Sequence, residues 1–167
     1  MNRRTTTVLA LALFAALSVF GRSAYTTSAA GGNPHANGGG TTVEGGEKST
    51  FVFNAVRQID SSVVGHLTYH FRFADVTFHM QNDCLNFISS NTAVISGTVT
   101  MVTGSTFFVP GAHGVFVVRD NGEGNNGNPD LISDVVIDPN PLSTINCQNF
   151  TTLTPYLPID GNIQVQP

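Results

Sequence analysis

The sequence predicts an all-β fold: a single-domain antiparallel β-sandwich, with a β-barrel as the alternative, of about 7–9 short strands. Three observations carry that prediction. Val63–Phe73 sets polar His66, Thr68, His70 and Arg72 in strict alternation with apolar Leu67, Tyr69, Phe71 and Phe73. Gly, Pro, Asn and Asp punctuate the chain between runs of this kind. Beyond the N-terminal leader, no stretch of about ten residues repeats its apolar positions with a helical period. A period of two places one set of side chains against a core and leaves the other in water.

The N-terminus reads as a leader. Arg3 and Arg4 precede the apolar run Val8–Phe20, and small residues follow at Ser28, Ala29 and Ala30. That order predicts a secretory signal peptide over residues 1–30 and a secreted or periplasmic protein. The apolar run is shorter than the ~20 residues that cross a bilayer, so no membrane association is expected once the leader is cleaved. Residues 31–49 (GGNPHANGGGTTVEGGEKS) carry one large aliphatic side chain, Val43. Such a segment buries too little apolar surface to offset its ordering entropy, which predicts a Gly-rich flexible linker. The folded β domain is then expected over residues 50–167.

Within that domain, Thr50–Val56 sets Phe51, Phe53 and Ala55 on one face, and Arg57–Ser62 reads as a turn. Val63–Phe73 follows, with Leu67, Tyr69 and Phe71 opposed to His66, Thr68 and His70. The phase breaks at Ala74-Asp75. A tight hairpin there would pair Phe71 with Phe78 and Tyr69 with Met80; a bulge in one long strand is the competing reading. Cys84–Ile88, Thr92–Val102, Thr106–Val109 and a last strand near Asn162–Gln166 complete the pattern.

The most distinctive stretch is Val115–Ile137. Two apolar runs flank Asp120–Asp130, which holds three carboxylates and four Asn side chains with no cation. It predicts paired strands joined by a long acidic loop. Cys84 and Cys147 are the only cysteines. An even count in an exported chain predicts a disulfide between them, worth about 4 kcal/mol in the chain-entropy treatment.

Several of these segments also recur together elsewhere. FVFNA, GHLTYHF, CLNF before TAVISGTVT, VRDNGEG with PDLIS, and the closing GNIQV resemble, in that order, a widespread group of small secreted bacterial β-rich proteins. Some of that group carry the post-COAP-1 domain. The resemblance runs from Phe51 to Val165. It implies export and a β-rich fold, and it brings no catalytic residues with it.

Charge excludes one class of partner. Loss of Arg3, Arg4 and Arg22 with the leader takes the net charge from −4 to −7, leaving Lys48, Arg57, Arg72 and Arg119. A nucleic-acid binder needs a basic footprint, so no nucleic-acid partner is expected. Asp120, Glu123 and Asp130 could ligate Ca²⁺ through oxygen, although Gly122 and Gly124 break the EF-hand spacing. Asp and Asn equally serve loops by bonding their own backbone. In the tight-hairpin register His70 would face His79 and His66 would face Asp83, a possible zinc arrangement. A glycosidase pair could be drawn from Asp120, Glu123, Asp130 and Asp134. No G-x-S-x-G elbow occurs. The expectation is an exported non-enzymatic structural or binding module without a cofactor, its extracellular ligand unassigned. The alternatives are a calcium-binding extracellular protein and a secreted hydrolase.

Overall fold

The computed structural model describes residues 32–106, 108–122, 128–140, 142–150 and 152–167; the expected leader at 1–30 lies outside them. The strands are β1 His35–Glu44, β2 Glu47–Arg57, β3 Val63–Phe71, β4 Val76–Ser89, β5 Thr92–Thr103, β6 His113–Arg119, β7 Leu131–Ile132, β8 Val136–Asp138, β9 Leu157–Pro158 and β10 Asp160–Gln166. These ten form one sheet in the order β10-β1-β2-β3-β4-β5-β6-β7-β9, with β8 also paired to β6. Every pairing is antiparallel. The all-β antiparallel expectation is met, and of the two arrangements left open the molecule takes the barrel-like one. No helix among the described residues is long and apolar enough to cross a membrane.

The sheet curls around the side chains that alternation points inward. Phe51 and Phe53 of β2, Leu67 and Tyr69 of β3, and Phe78 and Met80 of β4 meet Ile95, Phe116, Ile132 and Ile163 in one buried cluster. Phe51 stacks on Tyr69 and Tyr69 on Phe78, at 6.0 and 5.7 Å between ring centroids. Phe53 meets Phe116 edge-on at 5.4 Å. β2 and β6 are not neighbours in the sheet, so this last contact crosses the interior and shows the sheet wrapped on itself. Burying each such ring stabilises the fold by roughly 1.5–3 kcal/mol.

Most of the segment expected to be a linker, 31–49, is instead strand, in β1 and the start of β2. β1 runs His35–Glu44 between β2 and β10, with Ala36 fully buried. Its glycines are there for close approach. A Cβ on Gly40 would stand 2.6 Å from the Asp160 carbonyl oxygen, and one on Gly161 would stand 2.2 Å from that of Gly39. The backbones of β1 and β10 touch where side chains would hold them apart. Partners from β2 and β10 supply what the segment's own sequence lacks.

The connection at Ala74-Asp75 corrects a second expectation. Arg72–Ala74 forms a 3₁₀ turn, and Asp75 closes it in the left-handed region at φ 51°. This longer link shifts the register by two residues: Phe71 pairs with Val76, Tyr69 with Phe78 and Leu67 with Met80. Because the shift is even, the apolar side chains within the two strands stay on their predicted face, while Phe73, expected to continue that face, falls in the turn and is 66% exposed.

The first half of β5, Thr92–Gly97, and Gly114–Val118 of β6 are buried on both faces. The outer one carries Val94, Val115 and Val117, covered by Ile145, Phe150 and Leu153 of the segment after β8. The Cys84–Cys147 disulfide ties that segment to β4 across a separation of 63 residues. Cys147 N–H also donates to Ser96 Oγ at 3.1 Å, and Asn86 Nδ2 donates to the Cys147 carbonyl at 3.1 Å.

Candidate functional site

The acidic loop supplies its end carboxylates to the backbone. Asp130 is 6% exposed. Its Oδ2 accepts the Ile163 N–H at 2.7 Å and its Oδ1 the Asn121 N–H at 2.8 Å. Asp120 Oδ1 accepts Gly122 N–H at 2.8 Å, and Asp120 Oδ2 accepts Val165 N–H at 3.2 Å. Two of the three proposed calcium ligands therefore hold amides of β10 and of their own loop. Glu123 lies outside the described residues. Among those described, no group of three or more His, Cys, Asp or Glu could hold a metal ion.

The histidines do not assemble as the tight hairpin required. In the observed register His79 faces Thr68, His70 faces Thr77 and His66 faces Gln81. Thr68 Oγ1 and His79 Nδ1 are 3.0 Å apart, and His70 Nε2 is 3.7 Å from Asp75 Oδ1. Ser133 is equally structural: its Oγ accepts Val117 N–H at 2.9 Å and donates to the Asp134 carbonyl at 2.7 Å.

A cleft of about 480 Å³ opens beside the disulfide, lined by Arg57, Ser61, Asp83, Asn86 and Gln148 over the apolar Val63 and Leu85. Its size is that of a small-molecule site. The β2–β3 turn forms one wall. Asp60 Oδ1 accepts both Ser62 N–H and Ser62 Oγ, at 3.0 and 2.6 Å, and these bonds pull the Asp60 carboxyl below its ordinary range. The Arg57 guanidinium is fixed from two sides. Nη2 donates to the Leu85 carbonyl at 2.5 Å, and the group lies 5.6 Å from the Phe87 ring centroid. Among the described residues the only ion pair within 4.0 Å is His70–Asp75, so Arg57 has no carboxylate partner there.

Asp83 is placed by a bulge. β4 and β5 pair Asn82 with Gly97 and Cys84 with Ser96, leaving Asp83 unopposed. Gly97 makes the bulge possible, since a Cβ there would stand 2.0 Å from the Gln81 carbonyl oxygen. Asp83 is exposed as a residue, yet its carboxyl is shadowed enough that desolvation lifts it above the ordinary range, with His113 partly offsetting.

A second group of titratable side chains lies towards the β1–β2 turn, at the far end of the hairpin from Arg57. Tyr69 OH donates to Glu44 Oε1, and Tyr156 OH donates to Asp134 Oδ2. Burial pushes the Glu44 carboxyl up, opposed by the Tyr69 hydrogen bond, and Asp134 adds to the rise. Burial also pushes the Tyr69 hydroxyl up; the Asp134 acceptor pushes Tyr156 up to about 12. Glu44 Oε2 and Ser49 Oγ are buried with no hydrogen-bond partner among the described residues. Ser49 stabilises the Glu44 carboxylate only weakly, from outside good hydrogen-bond geometry. The arrangement holds a proton well and offers no third metal ligand.

Sequence reasoning missed the cleft because Arg57 reads as the first residue of a turn and Asp83 only as the residue facing His66 in the tight-hairpin register. The available signal was scarcity: Arg57 is one of four cations left after the leader. No family model, no curated protein and no solved structure matches the chain.

Proposed function

We propose that the chain is an exported, non-enzymatic binding module whose ligand occupies the Arg57–Asp83 cleft. The observation that supports it most directly is the Arg57 guanidinium, immobilised by Leu85 and Phe87 and lacking a carboxylate partner among the described residues. A charged group that is already held in place binds a counter-group with little further loss of side-chain entropy. Support for export comes from the leader pattern in the sequence and from a disulfide, a bond that persists in oxidising compartments.

The test is a chemical-shift screen of the purified chain against anionic, cationic and neutral solutes, run beside turnover assays on glycan, ester and peptide substrates. Binding that moves the Arg57, Asn86 and Gln148 resonances, without turnover, is the expected result. Turnover that disappears in Glu44→Gln or Asp134→Asn would replace the module with a secreted hydrolase.

A further inference from the structure

We infer that the cleft takes a carboxylated sugar, a uronic-acid unit of an extracellular polysaccharide. This deepens the binding-module reading and rests on it. The guanidinium of Arg57 is a planar fork of donors, the geometry that matches a carboxylate. Leu85 O uses one of its N–H groups, through Nη2, and the Phe87 ring packs near the group. The remaining donors have no carboxylate to meet among the described residues.

The rest of the lining suits hydroxyl groups. Ser61 offers a hydroxyl, Asn86 and Gln148 offer amides, and Asp83 offers a carboxyl, all on one cleft. Asn86 spends Nδ2 on the Cys147 carbonyl, and no bond among the described residues uses its Oδ1. Among the described residues Gln148 Nε2 reaches only Cys147 Sγ, at 3.7 Å. A sugar ring presents vicinal hydroxyls that both donate and accept, which this mixed set can satisfy.

Two features separate an acidic sugar from its competitors. Among the described residues no aromatic side chain lines the cleft, so a neutral sugar has no ring there to stack on and would rely on neutral hydrogen bonds alone. A peptide carboxylate would satisfy Arg57 but bring few hydroxyl donors for the acceptors of Asp83 and Asn86.

The deciding measurement is a set of NMR titrations of the purified chain with tri-galacturonate, maltotriose and N-acetylglycine. Tri-galacturonate is expected to move the Arg57 Nε–H and the Asn86 and Gln148 amide signals, and to bind at least about tenfold more tightly than the other two. Arg57→Gln should weaken it by about tenfold or more, and Arg57→Lys, which keeps charge but loses the fork, by an intermediate factor. Equal binding of maltotriose, or no effect of Arg57→Gln, would overturn the acidic-sugar inference and leave a binding cleft. Tighter binding of N-acetylglycine would overturn it in favour of peptide carboxylates. Silence from all three probes overturns it too; silence across the wider solute screen as well would remove the cleft from the binding-module reading.

Discussion

The carboxylate of Asp130 accepts the backbone N–H of Ile163, 33 residues further along the chain, at 2.7 Å. With Thr42 Oγ1 donating to the Pro158 carbonyl at 3.1 Å and Ile159 N–H donating to the Asp130 carbonyl at 3.0 Å, it closes the seam between the two ends of the sheet order. A side chain does here what a strand ladder does elsewhere in the barrel.

Asp130→Ala should therefore cost about 2–4 kcal/mol in urea unfolding, because the Ile163 and Asn121 amides lose a charged acceptor together. Asp130→Asn keeps one acceptor oxygen and should cost less. Since Asp120 and Asp130 already serve amides, millimolar Ca²⁺ should leave the melting midpoint unchanged within about 1 °C. A larger rise, abolished by Asp120→Asn, would make the loop a calcium site after all.

Deleting residues 32–46 should abolish cooperative unfolding, because it strips both β2 and β10 of their shared partner. Gly161→Ala probes the same contact more gently. Its new Cβ meets the Gly39 carbonyl oxygen at 2.2 Å and should cost about 1–3 kcal/mol of overpacking.

Glu44 makes stability depend on pH. Its folded-state pKa is raised above the ordinary 4.5, so the folded chain binds the proton more tightly than the unfolded chain. That contribution is fully present below about pH 4.5 and is lost as pH rises through the folded value. Glu44→Gln keeps an acceptor for Tyr69 and cannot ionise. It should unfold at higher urea than the parent at neutral pH, with the difference shrinking in acid. An unchanged pH profile would count against a buried, proton-holding Glu44.

Gly97→Ala should collapse the β4 bulge, costing about 1–3 kcal/mol. The new Cβ would stand 2.0 Å from the Gln81 carbonyl oxygen and force Asp83 to move. Shift changes are expected at Asp83 and Asn86 across the cleft, with Tyr69 and Phe78 undisturbed. Changes confined to β5 would separate the bulge from the cleft.

How much of this could be read from the sequence depends on whether a residue's role is local. The alternation of Val63–Phe71 reports burial one residue at a time, so β3, its inward Leu67 and Tyr69, and the fold class were legible. The Cys84–Cys147 pairing was legible by count. β1 was not, because Gly38–Gly40 carries no pattern, and its order comes from the neighbours on either side. The β3–β4 register depended on a 3₁₀ turn that Arg72–Ala74 does not announce. Asp120 and Asp130 stood out, but their partners are amides of β10, and a backbone amide leaves no mark in composition. Arg57 and Asp83 are 26 positions apart and meet only through a turn and a bulge.

β1 pairs His35 with Gln166, so the barrel wall is joined from opposite ends of the folded chain. A ribosome adds about 5–20 residues per second, so the first strands wait on the order of ten seconds for their last partner. Until β10 is made, β1 keeps an open row of amides and Asp130 has no Ile163 to hold. An unfinished chain is thus a sheet with unguarded edges, the template on which other chains pair. Closure of the barrel waits for β10 to reach β1, and the long-range character of that step sets this chain among slow folders.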